Sequence, residues 1–267
     1  MKLLLGFAYI TVKENARRRS FYGLLVAYLL SLGFSRALME FSLQDLTKVF
    51  LDFSYSFLSF FLFVSILFIT TDIMSKDLDK KGVYIVLSKG ISKETYILGR
   101  AFSFLVFSFL IAFTMGFLFL IGTKLINYFT PTAFRKEIQI LAGFTVVLFL
   151  WIKAFLLSTV ILFLSSFMGN FFLIFLTAVV VLIAGSAVEN LYKFVILEGD
   201  RISPLVSSLV TFIFYTFPNF SSPGPDPLMD MSRLKSSYLI LDFIRAVIYS
   251  LFLVFLSSLL FKRRQIP

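Results

Sequence analysis

The chain has 267 residues, 59% of them hydrophobic and only 15% charged, with a mean hydropathy of +0.94; a water-soluble domain carries about a quarter charged residues, so a fully solvated surface is excluded. The net charge of +10 gathers in clusters that flank apolar runs, at 13–19, 76–100 and 262–264, which is the pattern of cytoplasmic membrane flanks and not of a nucleic-acid surface. With no Cys and no His, disulfides, Cys/His metal sites, imidazole acid–base chemistry and a thiol nucleophile are excluded, and no pair of acids shows carboxylate-ligand spacing, so neither a metal nor a catalytic residue is expected.

Residues 1–19 open with Leu3, Leu4, Leu5, Phe7, Tyr9, Ile10 and Val12 and close on Arg17, Arg18 and Arg19. The stretch is too short to cross a bilayer and has no small-residue cleavage site, so it is expected to be an amphipathic helix on the inner leaflet and not a cleaved signal peptide. Arg17–Arg19 would anchor it to the membrane surface.

Six spans follow, at about 20–39, 53–71, 101–122, 138–167, 171–188 and 238–261. Phe53 to Thr71 is nineteen uncharged residues, near the length that a hydrocarbon core of roughly 30 Å demands. Between Ile138 and Val188 the only charge is Lys153. That run is too long for one span, and Met168-Gly169-Asn170 is the natural break. Placing both termini in the cytoplasm puts the Lys/Arg excess inside, as expected of a multi-pass protein of the plasma or inner membrane. The outer loop 189–237 contains Pro204–Pro218, apolar but short, which fits a re-entrant or interfacial segment better than a seventh span.

Lys153 is costly inside an apolar span and is a candidate for a substrate pathway. Alternatives are a hydrogen bond to a hydroxyl such as Ser158, or a snorkelling stem. Asp242 and Arg245 stand three residues apart and are expected to pair on one helix face. Glu189, Glu198, Asp200 and Arg201 read as markers of the outer boundary.

The loop 72–100 is long for a compact bundle and mixes charge with an apolar island, Val83-Tyr84-Ile85-Val86-Leu87, bracketed by Gly82 and Gly90. Such an island needs burial, in its own bundle or in a partner. The pattern Gly82 … Leu87-Ser88-Lys89-Gly90-Ile91-Ser92-Lys93 … Tyr96-Ile97-Leu98-Gly99-Arg100 resembles the first cytoplasmic loop of the type-2 ATP-binding-cassette (ABC) export permeases. Gly90 stands where that family usually has Pro, and Lys93 where it usually has Arg. The basic N-terminal helix, Phe217-Pro218-Asn219-Phe220 and the ending Phe261-Lys262-Arg263-Arg264 are similar to further elements of the family.

The resemblance implies an all-α integral membrane fold, a six-span bundle with an N-terminal interfacial helix. It also implies two permease half-units, as a homodimer, over two copies of a cytoplasmic ABC ATPase. That ATPase would dock on the coupling loop through Gly82, Val83, Tyr84, Ile85, Leu87, Ser88, Gly90, Ser92 and Lys93, and would hold the ATP and Mg. The chain has no phosphate-binding Gly-x-x-x-x-Gly-Lys-Ser/Thr loop, so it is expected to have no cofactor and no enzyme activity of its own. A hydrophobic or amphiphilic substrate is the expectation for export. Two other classes compete: a stand-alone secondary transporter or channel using Lys153 and acids near the last span, and a membrane enzyme using Asp72, Asp77 and Asp79.

Overall fold

The computed structural model describes residues 2–40, 46–79, 82–130, 138–197, 203–221, 223–229 and 236–263. Among these the chain is all-helical. In order come α1 (Lys2–Ala16), α2 (Arg19–Met39), α3 (Leu46–Asp79), α4 (Gly82–Leu87), α5 (Lys93–Phe129), α6 (Ile140–Ser165), α7 (Phe171–Leu197), α8 (Pro204–Thr216) and α9 (Ser236–Arg263), with one 3₁₀ turn at Asp226–Leu228. Six helices, α2, α3, α5, α6, α7 and α9, are long and apolar enough to cross a membrane.

Helix α6 is the axis of the bundle. The most apolar stretch of α6 is 83% buried, against 17% for α2 and 22% for α7. It is apolar all round because neighbours surround it: α5, α9, α3 and α7 all pack on it. Close approach to α5 uses two glycines. A Cβ on Gly116 would lie 2.5 Å from Val147, and one on Gly143 would lie 2.4 Å from Leu120.

Several helices run well past the charge-free stretches. Helix α3 continues through Asp72 to Asp79, and α5 starts at Lys93, so the apparent 72–100 loop is mostly helix. The extension is held by side chains: Lys76 reaches Asp72 at 2.7 Å one turn away, and Ser92 caps α5 by accepting from the Thr95 N–H at 3.2 Å. Lys80, Lys81, Arg135, Lys136, Glu198, Asp200, Arg201 and Arg264 lie outside the described residues.

Helix α1 presents an unexpected face. Its buried stripe is Ala8, Thr11 and Asn15, packed with Phe7 against α5, while Leu5, Tyr9 and Ile10 are exposed. Gly99 makes this contact possible, since a Cβ there would lie 2.6 Å from the Phe7 ring. Small and polar residues together with Phe7 therefore seat the helix, while Leu3, Leu5, Tyr9 and Ile10 point away from the protein.

Helix α8 has thirteen residues. Tyr192 of α7 stacks on Phe214 of α8 at 4.0 Å, and farther back along α7 the Gly185 carbonyl accepts from the Phe220 N–H at 3.4 Å. The segment thus runs antiparallel to α7 toward the middle of the bundle. By Leu228 it has returned to the start of α6, where the Gln139 N–H donates to the Leu228 carbonyl at 2.9 Å. The tip of this hairpin, Pro218-Asn219-Phe220, is buried.

Candidate functional site

Two polar clusters stand out in an otherwise apolar molecule. The first lies in the interior. Lys153 of α6 is fully buried and its ammonium sits 2.7 Å from an Asp242 oxygen of α9, donating also to the Asn219 carbonyl at 3.1 Å. The Asn219 amide donates to Glu189 of α7 at 3.0 Å and to Asp242 at 3.4 Å. The Ser221 N–H closes the tip by donating to the Asn219 side-chain oxygen at 2.8 Å. One asparagine on the hairpin tip therefore joins three helices.

The physical logic is compensation. A lone lysine at that depth costs several kcal/mol, and a close carboxylate with a second acceptor offsets it. Lys153 is committed to Asp242 and Asn219; Ser158 instead donates back to the Ala154 and Phe155 carbonyls of its own helix. The expected Asp242–Arg245 pair gives way to this arrangement. Arg245 donates to the Phe217 carbonyl at 3.3 Å and lies over the Phe214 ring at 4.4 Å. Glu189 is no boundary marker either: it is 6% exposed, holds Asn219, and meets Lys193 at 2.5 Å.

The fit of the tip is tight. A Cβ on Gly185 would come within 2.3 Å of the Pro218 carbonyl and 2.5 Å of the Phe220 ring. Only glycine lets the hairpin lie so close to α7.

The second cluster lies where α3, α4 and α5 meet. The Tyr96 hydroxyl donates to Asp77, and the Arg100 guanidinium pairs with the same carboxylate and reaches Thr11 of α1 at 3.2 Å. Tyr96 is fully buried, stacked on Phe261 of α9 at 5.6 Å and edge-on to Phe7 of α1 at 6.1 Å. It thereby touches α1, α3 and α9 from α5. Asp72 is held by Arg18 and Lys76, so Asp72 and Asp77 both carry ion-pair partners.

The apolar island folds largely onto this cluster. Val83 is 1% exposed, and Val86 and Leu87 are half-buried against the same core; the side chains of Tyr84 and Ile85 lie outside what the structure describes. Burial of these apolar groups under α3 leaves the following turn as the outward-facing part. Ser88, Lys89, Gly90 and Ser92 are exposed, and Ile91 and Lys93 partly so. Gly90 has φ +79°, a conformation open to glycine and closed to the proline that the resembled family usually carries there. Gly82 starts α4 directly against Asp77. Arg17 is exposed at the bend between α1 and α2, and Arg19 is exposed at the first turn of α2.

Among the described residues no group of three or more acids could hold a metal. Among the described residues the fold is that of an all-helical protein with six helices long and apolar enough to cross a membrane, the pattern of a multi-pass membrane protein. No protein-family model matches the chain, and no curated protein matches it.

Proposed function

We propose that this chain is the membrane-spanning permease subunit of an ATP-driven exporter of the type-2 ABC kind, with both termini in the cytoplasm. In this reading a separate ATPase subunit docks on the exposed turn Ser88–Lys93, and the hairpin at 204–228 is a re-entrant plug from the outer side. A second copy of the chain completes the pathway for a hydrophobic or amphiphilic substrate. The observation that carries the reading is the Asp77–Tyr96–Arg100 cluster directly beneath that turn. A push on a turn seated on free loop would dissipate. Here the turn passes into α5 through the Ser92 cap, and one helical turn further on, Asp77, Tyr96 and Arg100 join α5 to α1, α3 and α9. A docked subunit would move the helices with it.

The test is purification in mild detergent from the native source. A soluble ATPase should co-elute, and Lys89→Glu with Ile91→Asp should release it while helical content stays unchanged. Elution with no nucleotide-hydrolysing companion defeats the reading.

The buried Lys153–Asp242 pair favours a second reading, a stand-alone proton-coupled carrier. Liposomes holding the purified chain alone would then take up protons down an imposed gradient, and Asp242→Asn would abolish the flux.

A further inference from the structure

A lateral cavity of about 620 Å³ opens between the starts of α2 and α7 and the last turns of α3. Arg18, Arg19 and Lys76 line it against a single carboxylate, Asp72. Its remaining walls are apolar, with Phe68 and Phe171 prominent. Arg18 is the residue preceding α2 and makes no side-chain cap, so the uncapped first turn of that helix adds its own positive end at the cavity wall. Net positive charge thus meets hydrophobic wall in one opening.

Phe68, whose ring packs on Phe175 at 4.8 Å, also lines a second furrow of about 800 Å³ that follows α3 and α7 as far as Ser56 and Asn190. Between those ends the furrow is walled mainly by aromatic and aliphatic side chains, among them Phe63, Phe175 and Leu182. A cationic mouth beside a long apolar furrow complements one ligand chemistry: a phosphate-bearing headgroup with an acyl chain attached.

We infer that the cavity between α2, α3 and α7 binds one anionic phospholipid, its phosphate held by Arg18, Arg19 and Lys76 and an acyl chain laid along the α3–α7 furrow. Asp72 has a defined part. By pairing with Arg18 and Lys76 it orients both cations at the mouth while subtracting one charge, so it tempers the affinity. The site needs no ATPase partner and stands apart from the exporter reading.

The test uses the full chain in detergent, with bound lipid counted by native mass spectrometry. Phosphatidylglycerol should bind about ten-fold tighter than phosphatidylcholine of the same chains. Arg19→Gln with Lys76→Gln should erase that preference. Lys13→Gln with Arg17→Gln, which removes the same charge outside the cavity, should preserve it. Asp72→Asn should strengthen phosphatidylglycerol binding, a gain that misfolding cannot mimic. Diacylglycerol, with the chains but no phosphate, should bind no better than phosphatidylcholine. Three results would overturn the inference: equal binding of the two phospholipids, equal loss of preference in the Lys13/Arg17 variant, or displacement by inorganic phosphate as effective as by phosphatidylglycerol itself.

Discussion

The cluster around Lys153 and the cluster around Tyr96 use the same parts, a cation, an aspartate and a neutral polar partner, at different depths. At the first, the Lys153 and Asp242 side chains are 1% and 11% exposed; at the second, Arg100 and Asp77 are 11% and 16% exposed. Farther out, Arg18 and Asp72 are 22% and 29% exposed, and Lys262 and Glu94, paired at 2.8 Å, are 65% and 50% exposed. Depth decides what each can do. In the interior a broken pair leaves a charge with no water to take it, so the Lys153 cluster fixes the hairpin tip in one place. At the surface, where Lys262 and Glu94 pair, an ion pair can exchange partners with water at small cost; the Tyr96 cluster, with its ring fully buried, instead ties α1, α3, α5 and α9 together.

That contrast is most sharply broken at Lys153. Lys153→Met strands Asp242 and should lower stability in detergent by about 3–5 kcal/mol, read as a fall in thermal midpoint. Adding Asp242→Leu should restore most of it, because the pair is then gone rather than halved. Gly185→Ala forces a methyl group against the Pro218 carbonyl and the Phe220 ring and should cost about 1–3 kcal/mol by the same measurement. Tyr96→Phe keeps the ring contacts with Phe7 and Phe261 and removes only the hydroxyl on Asp77. It should cost about 1 kcal/mol, and on the proposed exporter reading it should reduce activation of the companion ATPase more than any change at Gly185. Lys262→Ala, in the exposed pair with Glu94, should leave the thermal midpoint unmoved.

Charge-free runs report bilayer thickness directly: five of the long helices contain the expected stretches, and α6, Ile140–Ser165, falls inside the expected 138–167. Helix ends are less legible in the sequence. Asp72 and Arg100 read as loop residues wherever charge is equated with solvent, whereas caps and ion pairs carry α3 and α5 onward. Small residues were scattered in sequence without a visible pattern. In space Gly99, Gly116 and Gly143 each admit one close side chain of this chain and Gly185 admits the Pro218 carbonyl and the Phe220 ring, and none needs a second copy to explain it.

Spacing along the chain does not assemble the Lys153 cluster, whereas depth in the bundle does. Lys153 lies about 20 Å along α6 from Ile140, at 1.5 Å per residue. Glu189 and Asp242 lie about 12 Å and 9 Å from the ends of α7 and α9 at the side of the bundle where α6 begins. A lysine stem spans much of that difference, so the acids nearest in depth were its natural partners. Local spacing drew Asp242 toward Arg245 instead. Asn219 carried no signal beyond its Pro-Asn turn, because its role is set by where the hairpin ends.

The account rests on the turn above the Tyr96 cluster being a grip for a nucleotide-burning companion. A photo-crosslinking amino acid placed at Lys89 in intact native membranes tests this most directly. The account predicts one dominant crosslinked species, containing this chain and a soluble ATP-binding polypeptide, which changes in yield when ATP is depleted. Crosslinks confined to this chain's own helices or to lipid would contradict it.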